Sequence, residues 1–236
     1  GLSWVEPKLT IQAAINTAVA GDEVWVMTGD SYVEKITLKK RVGVYGGFVG
    51  TETLRSERDP LSNITVIEAN LTGTVVTVPV GCFGGTAIDG FTIRNGQANS
   101  ATGNNGGGLY CVTASVLVAN NTFRNNSATN GAGVYLDWSP SVLTDNSFRV
   151  GAASSKGGGI YAGNASPTIS NNLFTINTAA NGAGIFLQYS SSAISGCTFM
   201  TNAASSSGGG VNSQNASTPS ITGSTFTNNT ASTGAG

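Results

Sequence analysis

Clusters of small residues recur along this chain at a nearly fixed interval: Gly106-Gly107-Gly108, Gly131-Ala132-Gly133, Gly157-Gly158-Gly159, Gly182-Ala183-Gly184, Gly208-Gly209-Gly210 and Gly234-Ala235-Gly236. Their first residues lie 25, 26, 25, 26 and 26 positions apart. A single phenylalanine keeps the same interval, at Phe123, Phe148, Phe174, Phe199 and Phe226. Asparagine follows three residues after four of these, at Asn126, Asn177, Asn202 and Asn229, and Gly151 takes the remaining place. A unit this short cannot bury an apolar face alone, so the period implies coils stacked on one another.

Short apolar words set the secondary structure. The first five glycine clusters are followed by Leu109-Tyr110-Cys111, Val134-Tyr135-Leu136, Ile160-Tyr161-Ala162, Ile185-Phe186-Leu187 and Val211-Asn212-Ser213. This is the two-residue alternation of a strand with one buried face. A second word ends at the phenylalanine, with Val118, Leu143, Ile169, Ile194 and Ile221 five residues before it. No repeat keeps a helical spacing beyond one turn. The expected fold is therefore all-β, a right-handed parallel β-helix of roughly 25-residue coils, with equivalent residues stacked about 4.8 Å apart. Eight or nine coils would extend about 40 Å by the same spacing. Asn121, Asn146 and Asn172 predict an internal asparagine ladder, continued by Cys197 and Ser224.

Residues 1–95 hold 10 of the 12 acids and 8 of the 11 bases, whereas residues 96–236 keep only Asp137, Asp145, Arg124, Arg149 and Lys156. We read 1–95 as an N-terminal cap with the first coils and 96–236 as regular repeats of one continuous domain. Thr10 caps a short helix from Ile11 to about Val19, a lid over the first coil. Tyr32 to Leu38, Val42 to Tyr45, Thr65 to Ile67, Val75 to Val78 and Ile88 to Ile93 are further strand words. The chain stops at Gly234-Ala235-Gly236, where another aliphatic word is due. The expectation is a piece of a longer solenoid, or a last coil covered by another subunit and open to end-to-end self-association.

The run Ile11-Gln12-Ala13-Ala14-Ile15, then Gly21-Asp22-Glu23-Val24-Trp25-Val26 and Tyr32-Val33-Glu34-Lys35-Ile36, resembles the opening of pectin-lyase-like right-handed β-helix proteins. Gly90-Phe91-Thr92-Ile93-Arg94-Asn95-Gly96 is similar to a word found where such helices settle into register. The repeats resemble those of bacterial surface β-helices, including the polymorphic outer membrane proteins. The resemblance implies the fold over nearly the whole chain, but polysaccharide lyases, hydrolases, adhesins and secreted passengers all share it.

Composition narrows the chemistry. Histidine is absent and the net charge is −1, which removes histidine-based nucleophilic triads and gives no electrostatic reason to expect nucleic acid. No apolar run approaches the ~18 residues of a membrane span, and neither a metal nor another cofactor is expected. The related hydrolases use three aspartates and a histidine, a set the repeats cannot assemble. Arg124, Arg149 and Lys156 are read as one basic edge, the residual place for a lyase. Cys82, Cys111 and Cys197 read as small buried residues, with a Cys82–Cys111 bridge left open.

The stronger candidate surface is aromatic. Tyr110, Tyr135, Tyr161 and Phe186 form one outward column, and Trp138, Asn164 and Tyr189 lie three positions further on, beside Asp137 and Gln188. Flat rings with amide and carboxylate neighbours suit stacking against sugars; alternatively the rings only stiffen the solenoid. The functional expectation is an extracellular or cell-surface stalk, adhesin-like, binding a polysaccharide or a surface protein and without a catalytic site of its own. The alternatives are a carbohydrate-active enzyme such as a polysaccharide lyase, and a self-stacking filament subunit.

Overall fold

The computed structural model describes residues 4–236. A regular coil passes through four short strands, first as Leu109–Val112, Leu117–Ala119, Thr122–Arg124 and Ser127–Asn130, then as Val134–Asp137, Val142–Thr144, Ser147–Arg149 and Ala152–Lys156. Strands of successive coils pair in parallel. They build sheet C (seven strands, containing Leu109–Val112), sheets A and B (eight strands each, containing Leu117–Ala119 and Thr122–Arg124) and a smaller sheet D (four strands, containing Ser127–Asn130). Sheets A, B and C enclose the bore.

Register converts the linear repeat into files of like side chains. Val118, Leu143, Ile169, Ile194 and Ile221 are paired one over the next on sheet A, and Leu109, Val134, Ile160, Ile185 and Val211 on sheet C. The repeat phenylalanines stack on sheet B with ring centroids 4.7–5.0 Å apart and planes within 6° of parallel. All but the last of these files' members are buried or nearly so, each contributing on the order of 1.5–3 kcal/mol.

Several strand words divide where corners fall. Ile88–Ile93 is two strands, Ala87–Asp89 and Phe91–Arg94, on different sheets, and Tyr32–Leu38 divides into Tyr32–Val33 and Ile36–Thr37. The repeat word ending at phenylalanine is likewise split between sheets A and B. Sheet D was not foreseen. The helix is shorter than expected, Ile11–Thr17, and Thr10 Oγ1 accepts from the Ala13 N–H at 3.1 Å. The Glu34 carboxylate accepts from the N–H groups of Ile11 and Gln12 at 2.9 and 3.0 Å, tying the helix to the first coil, while Ile11 and Ile15 are buried.

Each corner has its own solution. One residue per coil takes a left-handed conformation at the corner after sheet A (Asn120, Asp145, Asn171), after sheet B (Asn125, Val150, Ile176), after sheet D (Gly131, Gly157, Gly182) and after sheet C (Thr113, Trp138, Asn164). Only the third corner demands glycine, because a Cβ on Gly131 would lie 2.5 Å from the Val134 carbonyl oxygen. The cluster's last glycine is fixed by the core. A Cβ on Gly133 would meet the Gly159 carbonyl oxygen at 2.5 Å and the Phe148 ring at 2.8 Å.

The asparagine ladder is present. The Asn121 N–H donates to Asn146 Oδ1 at 3.0 Å and the Asn146 N–H to Asn172 Oδ1 at 2.9 Å. Asn146 Nδ2 donates to both Asn172 Oδ1 and the Val118 carbonyl. In the column's next place the Cys197 N–H donates to Ser224 Oγ. A second ladder runs after sheet B, where Asn177 Nδ2 donates to Asn202 Oδ1 and Asn202 Nδ2 to Asn229 Oδ1, both at 2.9 Å. Gly151 breaks it, so Asn126 Nδ2 donates only to the Ile93 carbonyl. Orphaning a buried donor or acceptor costs about 1–3 kcal/mol. Asn146→Ala orphans several, so denaturant melts should show a loss of roughly 3 kcal/mol or more. Exposed Asn125→Gly should move the same melts by only a few tenths of a kcal/mol, because glycine tolerates the left-handed corner.

Candidate functional site

The outer face of sheet C carries two files. Tyr110, Tyr135, Tyr161, Phe186 and Asn212 occupy the first, and Val112, Asp137, Gly163, Gln188 and Gln214 the second. The rings stack as the register requires, with centroids 5.5, 4.8 and 5.7 Å apart and planes within 6° of parallel.

That stacking closes the aromatic column as a platform. The inner rings turn their faces to one another, and the column becomes more covered along its length until Phe186 is fully buried. Lys156 seals that end: its Nζ sits 4.7 Å from the Phe186 ring centroid, a cation–π contact, and donates to Gln188 Oε1 at 2.9 Å. Lys156 therefore belongs to this face and not to an edge shared with Arg124 and Arg149. Those two arginines lie in register on the outer face of sheet B.

The accessible aromatics sit at the corner instead. Trp138 and Tyr189 are 61% and 57% exposed. Both hold φ at 51°, with Asn164 and Asn215 in the same conformation in the alternate coils. The left-handed region disfavours bulky side chains, yet it swings these rings clear of the sheet. Beside them, Asn164 Nδ2 donates to Asp137 Oδ1 at 3.0 Å. A Cβ on Gly163 would meet the Tyr161 ring at 2.8 Å and Asp137 Oδ1 at 3.1 Å, so this glycine leaves the room that the tyrosine and carboxylate occupy. The structure thus brings together Asp137, Trp138, Asn164, Gln188 and Tyr189 as an accessible corner over a closed base of Tyr110, Tyr135, Tyr161 and Phe186.

A signal beyond the single-coil period marks this corner. Trp138-Ser139 and Ser141 recur 51 residues later as Tyr189-Ser190 and Ser192, and Asn164-Ala165-Ser166 as Asn215-Ala216-Ser217. The inward hydroxyls pair in the aromatic coils, Ser139 with Ser141 and Ser190 with Ser192, at 2.8 Å each. Gly-Ala-Gly and Gly-Gly-Gly clusters alternate likewise. The Gly-Gly-Gly coils carry the longer sheet D strands Ala152–Lys156 and Ala203–Ser207, and Ala132 and Ala183 of the others join Ala153, Ala179 and Ala204 in a small second core. The true repeat is two coils.

Asp137 and Asp145 lie apart, on sheet C and at the corner after sheet A. Among the described residues no three His, Cys, Asp or Glu side chains converge as a metal-binding group. None of the helices there is long and apolar enough to cross a membrane. Cys82, Cys111 and Cys197 are buried free thiols. Shallow grooves of about 400 and 370 Å³ lie elsewhere, the first along sheet D at Ser127, Thr129 and Ser154, the second beside Tyr45, Leu117 and Val142.

Fold and repeat define the class, a parallel β-solenoid. The family model described as right-handed β-helix region matches residues 62–236, well over half of the sequence, and the chain belongs to that family. No curated protein and no solved structure matches the chain.

Burial, and then the negative charge of Asp137, raise the phenol pKa of Tyr110, Tyr135 and Tyr161 above the ordinary value of 10.0. A phenol kept protonated in the folded state contributes stability that is complete below pH 10 and is lost as pH rises through the folded values. Tyrosinate absorbance should therefore appear late on alkaline titration, with part of it delayed until unfolding. In Asp137→Asn the same tyrosines should ionise at lower pH, still above the ordinary value because burial remains.

Proposed function

We propose that this protein is a non-catalytic binding stalk of the cell surface or extracellular space, and that the corner after sheet C contacts glycans. The observation that carries this reading is the display of Trp138 and Tyr189, exposed and held at positive φ, two coils apart. Two strand spacings put them roughly 10 Å from each other along the solenoid. Aromatic faces at such intervals suit the apolar faces of sugar rings, and the neighbouring Asp137, Asn164 and Gln188 offer carboxylate and amide groups to hydroxyls. The same pattern contains no histidine and no paired carboxylates in the repeats, which supports binding without turnover. The scarcity of charge and the Ser, Thr and Asn surface support a location outside the cell.

Asparagine already occupies this corner in the alternate coils, so Trp138→Asn and Tyr189→Asn should fold as the parent does. Each should weaken retention on a bound glycan about three- to tenfold, in line with roughly 0.5–1.5 kcal/mol for an aromatic contact. The measurement is a glycan array followed by affinity electrophoresis on the polysaccharides that score. Unchanged retention of the double variant on every one of them would remove the reading.

A further inference from the structure

The outer face of sheet B breaks its own pattern in the middle coils. One outward file carries mostly threonine and serine and the other runs through Glu68 and its ion-pair partner Arg94, but in the middle coils they bring Arg124, Arg149, Leu173 and Met200 together. The adjoining corner adds Val150 and Ile176. Val150, Leu173, Ile176 and Met200 are all exposed, and neither arginine forms an ion pair among the described residues. Among residues 96–236 Arg124 and Arg149 are two of only three bases. Between Arg149 and Met200 in the file, Thr175 is 5% exposed and its buried Oγ1 has no hydrogen-bond partner.

Val150 and Ile176 carry the clearest signal. They hold φ at 54° and 57° in a corner where Asn95, Asn125, Thr201 and Asn228 serve other coils. A β-branched residue is a genuine outlier in that region, whereas asparagine adopts it readily. Strained aliphatic side chains that stay on the surface contribute little to the fold, and the reading that accounts for them is contact.

The same chain carries a surface of complementary chemistry. The loop over 49–64, between the strands Gly43–Phe48 and Thr65–Glu68, exposes Val49, Leu54, Leu61 and Ile64. Its bases are engaged elsewhere, Arg55 with Glu23 and Arg58 with Asp89. Glu52, Glu57 and Asp59 accept from backbone N–H groups of the loop and form no ion pair among the described residues, so the loop is acidic as well as apolar. It is anchored to the first two coils, where the Asp59 N–H donates to the Gly47 carbonyl and Thr28 Oγ1 to the Ile64 carbonyl. The patch begins two coils further on, at Arg124, and reaches the fourth at Ile176, roughly 10–20 Å along the axis. Within one chain no ion pair joins the two surfaces among the described residues.

We infer that they meet between molecules: the 49–64 loop of one copy docks on the Arg124, Arg149, Val150 and Ile176 patch of a second copy. The contact is heterologous, with different surfaces on the two sides, so it joins chains laterally and in stagger. It uses neither the sheet C corner nor the open strands of the last coil, and it stands or falls apart from glycan binding.

Sedimentation velocity of the full chain at rising concentration and low salt should show association that added salt weakens. Arg124→Glu/Arg149→Glu and Leu61→Lys should each weaken it about tenfold or more with the fold intact. Mixing those two variants should restore one-to-one complexes, since one keeps the loop and the other the patch. Val150→Asn/Ile176→Asn separates contact from architecture: it should raise the melting temperature while weakening association, whereas purely structural residues would lower it. A wild-type chain that stays monomeric throughout, association indifferent to these substitutions, or a variant mixture that does not complex would each overturn the proposal.

Discussion

Parallel pairing at a shift of one coil places every side chain against its own counterpart, and the rest of the molecule follows from that constraint. Stacking like on like rewards only some residue types. Aliphatics and phenylalanine gain by it, since their contacts repeat without charge. Asparagine gains more, because it is donor and acceptor at once: Asn146 receives from the coil before and gives to the coil after. A charged residue in the same place would repel its neighbour. This accounts for the near absence of charge after residue 95 and makes the register pair of Arg124 and Arg149 conspicuous.

Much of this architecture is legible in the residues themselves. The phenylalanine interval predicted a stack and the Asn121, Asn146, Asn172 spacing a ladder, and both exist with the expected partners. Sheet D was hidden because its inward residues are Ala153, Ala179 and Ala204, too small to give a hydrophobic alternation against Ser and Thr neighbours. Lys156 was misplaced for a related reason. It ends a five-residue strand of sheet D, in register with Asn130 and Asn181, and from there its long side chain reaches round the corner to Phe186 and Gln188 of sheet C. The division of Ile88–Ile93 turns on Gly90, whose φ of 85° bends the chain between sheets, although its sequence reads as one continuous strand.

The candidate site was legible as a set of residues and less so as a surface. Alternation shows which side chains point away from the bore, but exposure also depends on what folds over them. Tyr110 to Phe186 point outward and still lose their faces to one another and to Lys156. Trp138 and Tyr189 escape because they sit one residue beyond the strand, at positive φ, where the backbone aims them off the sheet.

Corners and sheets consequently answer to different pressures. On a sheet, a large ring is stabilised by the rings above and below, and this self-stacking withdraws it from a ligand. At a corner a large residue has no equivalent support and bears the steric cost of the left-handed region, about 1–2 kcal/mol per residue. Asparagine and glycine avoid most of that cost and are the residues a purely structural corner selects. Within the regular coils, Trp138 and Tyr189 after sheet C, and Val150 and Ile176 after sheet B, are bulky exceptions on two different faces. In a scaffold so uniform, departures from the least strained corner residue are where function is most economically written, because changing them leaves the paired strands and the bore untouched.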